Sequence, residues 1–306
     1  MYDKIQKTLK KRVLLLDGAM GTMIQHKTSQ CPDVLCLTDP KTIRDIHRQY
    51  LEAGADIITT NTFNANAVAL RDYGLAESAY RIAVSGARLA REEADRMTAL
   101  TPQQPRFVAG CIGPTSRKAY RSAGDMISDD HCIPFDELTE AYTTQIEGLL
   151  DGGADLLLIE TVWHLLNAQA ALTAVEHIEA RRGVKLPVMV SATLAQCSDK
   201  LLSGESLEEF YSAVAPFRPL SVGLNCSNGA EGLLAPLRLL SEIAECSVSC
   251  HPNAGFPDAS GDYPESSDTF ADKLKELIEE GIVAIIGGCC GTTPAHIAAL
   301  RRHISC

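Results

Sequence analysis

The 306-residue chain has no apolar run approaching the roughly 20 residues that span a bilayer. It also lacks a secretion signal. A basic N-terminal stretch precedes only four apolar residues, Val13 to Leu16. A signal core has roughly 7–15 apolar residues and a small-residue cleavage site. A cytoplasmic setting with reduced thiols is therefore expected. Basic residues are in deficit, 28 Lys and Arg against 39 Asp and Glu, for a formal charge of −11. That balance argues against nucleic acid or an anionic membrane as the main partner. Low-complexity tracts and Pro-rich linkers are missing too, so residues 1–306 read as one domain. Such a length buries a core without a disulfide scaffold.

Cysteine, by contrast, is abundant. The eleven are odd in number and scattered, apart from one adjacent pair, Cys289-Cys290. Without oxidising conditions such thiols read as core filler, metal ligands or nucleophiles.

Short runs rich in Val, Ile and Leu recur at 13–17, 56–61, 106–111, 155–161, 187–193, 220–226, 246–251 and 282–288. They are nearly continuous rather than alternating, as strands buried on both faces must be. Amphipathic stretches at 40–53, 77–97 and 136–152 read as helices between them. Several helices run into a glycine and then directly into the next strand, as in EAGADII (52–58), DGGADLLLI (151–159) and EEGIVAII (279–286). Eight strand–helix units predict an α/β fold, the (β/α)8 TIM barrel. The alternative, an open doubly wound sheet, calls for G-x-G-x-x-G after the first strand, and the DGAMGT loop from Asp17 to Thr22 does not supply it.

Barrel sites lie at the C-terminal ends of the strands. Those ends carry Asp17, Asn61, Cys111, Glu160, Thr193, Asn225, Cys226, His251 and the Gly287–Cys290 segment. Cys226, Cys289 and Cys290 thus converge from strands six and eight. Three thiolates with one vacant position form the donor set of a catalytic zinc. Gly287, Gly288 and Gly291 would let two adjacent residues reach one ion. The competing readings are a pair of small core hydrophobes, or a Gly-Gly phosphate cradle after strand eight. His251 could close the site as a fourth ligand, whereas Asn253 could supply a weak, displaceable oxygen. A free thiol, with a pKa of about 8.5, is largely protonated at neutral pH, and coordination removes that limit. Alkyl transfer to a thiol is therefore the expected reaction class. Asp17 and Glu160 read either as caps on backbone N–H groups or as anions for an amino-acid ammonium. The Gly18-Ala19 turn could donate to the substrate carboxylate.

LDGAMGTMIQ (16–25), EAGADIITTNTF (52–63), GPT (113–115), GGADLLLIET (152–161), GLNC (223–226), HPNAG (251–255) and GGCCGTTPAHI (287–297) run in order along nearly the whole chain. Together they resemble the homocysteine-binding barrel of cobalamin-dependent methionine synthase, within the homocysteine S-methyltransferase family. Betaine- and S-methylmethionine-dependent relatives share the cysteines but are less similar in the first-strand loop and around HPNAG. The resemblance implies zinc on the catalytic cysteines Cys226, Cys289 and Cys290, with homocysteine sulfur as fourth ligand and Asn253 as a weak resting one. It implies Glu160 on the substrate amine and Asp17, Gly18, Ala19 and Met20 at the carboxylate, with Asn61 and Ser191 completing the substrate-binding set. The methyl group would come from methylcobalamin on a corrinoid-binding domain or protein, docked on the rim loops, to give methionine and cob(I)alamin. The alternatives are a stand-alone enzyme using S-methylmethionine or betaine, and a zinc-closed docking subunit without catalysis.

Two departures stand out. The stretch His26–Thr38 is shorter than its family counterpart. A corrinoid-ligand pattern, D-x-H-x-x-G, begins at Asp45 and His47 but meets Tyr50 in place of glycine. The corrinoid is thus expected on another domain or protein, or this chain is a fragment. His47 and His177 read as surface residues, and Cys31, Cys36 and Cys132 as loop residues without a role.

Overall fold

Strands apolar on both faces are stable only when both faces are covered. The structure, a computed structural model, describes residues 2–24, 31–122 and 131–304. Its strands are β1 (Leu14–Leu15), β2 (Ile57–Thr59), β3 (Phe107–Ile112), β4 (Lys118–Tyr120), β5 (Cys132–Pro134), β6 (Leu156–Val162), β7 (Val188–Ala192), β8 (Ser221–Gly229), β9 (Ser247–Asn253) and β10 (Ile285–Ile286). Eight of them form one sheet in the order β1-β10-β9-β8-β7-β6-β3-β2, and a parallel bridge from Leu16 to Ile57 joins its edges. The result is a parallel TIM barrel ringed by helices, as expected from the eight apolar runs. The remaining pair, β4 with β5, forms a small parallel sheet in the connection from β3 to the helix Phe135–Asp151. The sequence reading did not anticipate it.

Alternation sorts the strand residues into two cores. Leu14, Leu16, Ile57, Phe107, Ala109, Leu156, Leu158, Met189 and Ile285 pack inside the barrel, joined by Ile5 of the helix Tyr2–Leu9. Residues of the opposite parity, such as Leu15, Ile58, Val108, Leu157, Val190 and Ile286, pack outward against the helices. No helix among the described residues is long and apolar enough to cross a membrane.

His47 departs from the sequence reading. It sits on the inner face of the helix Pro40–Glu52 with no solvent exposure and no hydrogen bond to either ring nitrogen. Burial pulls its pKa down to about 4 despite nearby Glu93, which keeps it neutral. Its helical face places it in the core, and the apolar spacing of the helix outweighs the polarity of one ring. His177 is exposed, as expected. Residues His26 to Gln30 of the shortened stretch lie outside the described residues, and its remainder forms a short 3-10 turn, Pro32–Val34, and a helical turn, Leu35–Thr38.

At the N-terminal end of the barrel, the fully buried Asp56 side chain accepts hydrogen bonds from Arg12 Nη1 and Nη2 (2.5 and 2.7 Å), Gln104 Nε2 (2.8 Å) and Leu15 N (3.0 Å). Burial by itself raises the pKa, but the Arg12 pair and the N–H donors outweigh it, so Asp56 titrates below the usual carboxylate range. Its stabilisation is present above the unfolded pKa of about 3.9 and is lost as pH falls through the lower folded value. Asp56→Asn should therefore cost about 3 kcal/mol or more at neutral pH. Urea melts from about pH 3 to pH 7 should also show a shallower acid limb for the variant than for the parent.

Candidate active site

Two irregularities in the sheet turn side chains toward the C-terminal mouth. The β6 register shifts between Ile159 and Val162, and the β8 register between Cys226 and Gly229. Each shift holds a non-glycine residue in the left-handed region, Thr161 at φ 58° and Cys226 at φ 57°. An extra residue in a strand breaks the two-residue alternation and re-aims its neighbours. Glu160 and Cys226 accordingly both line the same cavity.

The loop after β10 is tied down by its own backbone. Gly288 N donates to Asp17 O (3.0 Å), Cys289 N to Pro252 O (2.7 Å), and Ala254 N to Cys290 O (2.9 Å). Only Gly291 of its three glycines adopts a left-handed φ, 78°. Gly287 and Gly288 are needed for close approach instead: a Cβ would stand 2.7 Å from Asp17 O at the first and 2.5 Å from Thr292 Oγ1 at the second. That corrects the expectation that all three serve to bend the chain. Tyr50, the residue that spoils the corrinoid pattern, is fully buried. Its hydroxyl donates to Ala19 O at 2.7 Å and lies 3.1 Å from Thr292 O, so it clamps the first loop to the last.

Cys226, Cys289 and Cys290 come together, their sulfurs all within 4.8 Å of one another. Among the described residues, no other set of three His, Cys, Asp or Glu ligand atoms converges in this way. Cys226 Sγ and Cys289 Sγ are 2.8 Å apart, beyond the roughly 2.05 Å of a disulfide. Two thiolates that close repel strongly unless a proton or a cation lies between them. Hydrogen bonds from Cys226 and Cys289 push Cys290 down to about 3, whereas Cys289, facing Cys226 and Cys290, is pushed well up. The three sulfurs therefore titrate as one coupled group.

His251 does not join this cluster. Its Nε2 lies 3.4 Å from Glu160 Oε2, so the reading in which it closes a four-ligand site is not supported. Asn253 is buried with Oδ1 lacking any hydrogen-bond partner, and the backbone on either side of it bonds to Cys289 and Cys290. Among the described residues no hydrogen bond claims that oxygen.

The cavity below the sulfurs measures about 250 Å³. Asp17, the Gly18–Thr22 loop, Asp33, Asn61, Phe63, Cys111, Glu160 and His251 line it with the three cysteines, and among the described residues no Lys or Arg does. Asp17 accepts from Thr59 N (2.8 Å) and Thr59 Oγ1 (3.1 Å). Asn61 donates to Pro32 O (3.0 Å), holding the shortened loop against the cavity wall, and Cys36 donates to Asn61 O (3.2 Å). Two expectations fail here. The Ala19 N–H donates to Thr292 Oγ1 (3.1 Å), so it is not free for a substrate carboxylate. Ser191 is sealed from the cavity, its hydroxyl donating to Asn225 Oδ1 (2.8 Å). By alternation it shares the inward face of Met189, where Asn225 of the neighbouring strand takes up its hydroxyl.

Cys111, placed at a strand end but given no role, and Asp33, not named at all, both take part in the site. Cys111 donates to Glu160 Oε1 at 2.8 Å, and burial together with the Glu160 charge raises its pKa, which keeps it a thiol. Its place at a strand end was the available signal. Asp33 is buried and accepts from Asn64 N (2.9 Å), Asn64 Nδ2 (3.1 Å) and Cys31 Sγ (3.3 Å). It lies in a loop whose sequence has no periodicity to read.

Comparison with known proteins agrees with this geometry. Residues 14–304 match the family model described as homocysteine S-methyltransferase. The oxidized form of the Escherichia coli homocysteine methyltransferase MmuM is similar with a TM-score of 0.78 and 26% identity, over 97% of this chain and 98% of that one. Its metallated form gives a TM-score of 0.78 and 26% identity, over 97% and 99%. An old yellow enzyme homologue from Zymomonas mobilis, 11% identical with a TM-score of 0.52 over 92% and 85%, shares only the fold.

The cavity's electrostatics generate a test. Burial raises the Asp17 pKa well above its ordinary value; Thr59 opposes the shift and Glu160 adds to it. A carboxyl whose folded pKa lies above the unfolded value of about 3.9 penalises folding increasingly as pH rises between the two, and fully above the folded value. Asp17→Asn is expected to raise Tm more at about pH 8 than at about pH 4. Calorimetry at both values checks this, and a variant less stable at both refutes it.

Proposed function

The chain belongs to the homocysteine S-methyltransferase family, and from that premise we propose that it methylates homocysteine on a zinc ion held by Cys226, Cys289 and Cys290. The methyl group arrives from methylcobalamin carried by another domain or protein. The observation that carries this reading is the convergence of three sulfurs at one wall of a cavity lined by carboxylates, with no Lys or Arg lining it among the described residues. The donor set suits zinc: soft sulfurs in a group of three, with the orphaned Asn253 Oδ1 as a displaceable fourth ligand. When bound, zinc keeps a coordinated thiol ionised at neutral pH while leaving it nucleophilic.

The chain's own residues supply binding and orientation. Glu160, braced by Cys111 on one oxygen and by His251 near the other, receives the substrate ammonium. Asp17, whose pKa burial raises, lines the same cavity. The Gly18 and Met20 amides remain for the carboxylate, given that Ala19 is engaged with Thr292. Homocysteine loses its thiol proton on binding. Its sulfur then forms a bond to the methyl carbon as the donor–carbon bond breaks, and that electron pair stays with the donor.

Cavity size bears on how a donor would approach. Sites for drug-sized ligands span roughly 300–1,000 Å³, whereas this cavity is about 250 Å³, suited to one amino acid. A corrinoid therefore stays outside and presents its methyl group at the mouth. A second reading has a specific observation behind it. The match extends over 98% of the chain of MmuM, a homocysteine methyltransferase. A small sulfonium or ammonium donor such as S-methylmethionine or betaine would suit a wall that includes Asp33 and Phe63.

The deciding experiment offers purified, zinc-loaded protein homocysteine with protein-bound methylcobalamin, S-methylmethionine or betaine in turn, and measures methionine. Formation with methylcobalamin alone is the expected outcome. Turnover with either small donor selects the second reading, and full activity in zinc-free protein refutes both. Cys226→Ser should lower bound zinc from about one per chain toward zero, since serine offers no soft thiolate. Glu160→Gln should retain zinc but raise the homocysteine KM about 10-fold or more through loss of a charge-assisted hydrogen bond.

A further inference from the structure

Asn225 lies between the two halves of this site, with no solvent exposure. Its Oδ1 accepts from Thr161 N (3.0 Å) and Ser191 Oγ (2.8 Å). A backbone N–H can only donate, so the amide atom facing Thr161 N is the oxygen, and the orientation of the side chain follows without ambiguity. Nδ2 is thereby directed at Thr161 Oγ1 (2.9 Å) and at Cys289 Sγ (4.0 Å). Thr161 is the left-handed residue directly after Glu160, and Asn225 itself directly precedes the left-handed Cys226.

Resting on the proposed zinc reading, we infer that Asn225 is a positioning residue that couples the amine-binding carboxylate to the metal-binding sulfurs. One edge of the amide pins the β6 bulge that carries Glu160. The other edge offers an N–H to the Cys289 sulfur. An N–H aimed at a thiolate draws charge from the sulfur and orients it, which is how the groups behind metal ligands tune affinity. No other side chain of this size does both. A carboxylate keeps the two accepting contacts but has no N–H for sulfur, and an aliphatic chain leaves Thr161 N–H and Ser191 O–H buried without partners. The single amide therefore sets the distance between the ammonium subsite and the sulfur subsite.

Asn225→Asp and Asn225→Ala separate the two edges. Four quantities are measured on the full chain: zinc affinity by chelator competition, the thiolate-to-metal charge-transfer band after cobalt substitution, homocysteine KM and kcat, and Tm. Asn225→Asp should keep the parental Tm within a few degrees and a nearly parental KM. It should bind zinc about 10- to 100-fold more weakly, with a displaced cobalt band. Asn225→Ala should show the same weakening of zinc together with a KM raised about 10-fold or more. Parental or tighter zinc affinity with an unmoved cobalt band in both variants overturns the inference, as does a parental KM in Asn225→Ala. A parent protein that takes up no zinc overturns the metal reading and this coupling with it. A zinc-binding parent with indifferent variants overturns the coupling alone.

Discussion

The mouth of this barrel depends on one contact between the ends of the chain, the pairing of the first strand with the last. Leu14 and Leu15 lie in register with Ile285 and Ile286, and Gly288 N donates to Asp17 O just beyond them. A Cβ at Gly287 would stand 2.7 Å from Asp17 O, so the two loops touch backbone to backbone. That closeness puts an acidic loop and a cysteine pair, nearly the full length of the sequence apart, on one wall. Tyr50 and Thr292 then lock the arrangement through carbonyls and hydroxyls that are buried and paired.

The second determinant is strain accepted where side chains must leave strand alternation. A left-handed non-glycine residue costs roughly 1–3 kcal/mol and persists only where its surroundings over-determine it. Thr161 and Cys226 are such residues, one beside Glu160 and the other a converging sulfur itself. Asn225 satisfies the backbone N–H that the β6 bulge leaves over. The bulges and the amide between them are one construction: irregular backbone made tolerable by a buried, fully used polar group.

Electrostatically the cavity is one-sided. Asp17, Asp33 and Glu160 line it with three sulfurs, and each acid has been provided with donors from Thr59, Asn64 and Cys31, or Cys111. Burial raises the pKa values of Asp17 and Asp33, so the cavity takes on its full negative charge only when cations complete it. An ammonium at one end and a metal at the other would do so. The charge of the cavity and its proposed contents thus explain one another.

Much of this was legible in the sequence because it is written in short-range patterns. Continuous apolar runs demand strands covered on both faces, glycine at helix ends sets short returns, and eight repeats close into a barrel. Strand order then brings Cys226 to the same end of the barrel as Cys289 and Cys290. What the tertiary structure alone decided was the direction of individual polar groups. Ala19 N–H and Ser191 O–H carry the right chemistry for substrate, yet neighbours distant in sequence, Thr292 and Asn225, take them up. His47 looks like a surface residue and is core; Asp33 and Cys111 look incidental and line the cavity. Periodicity reports which face of an element is buried. Which donor meets which acceptor is settled only when the barrel closes and the loops at its mouth compete for the same few hydrogen bonds.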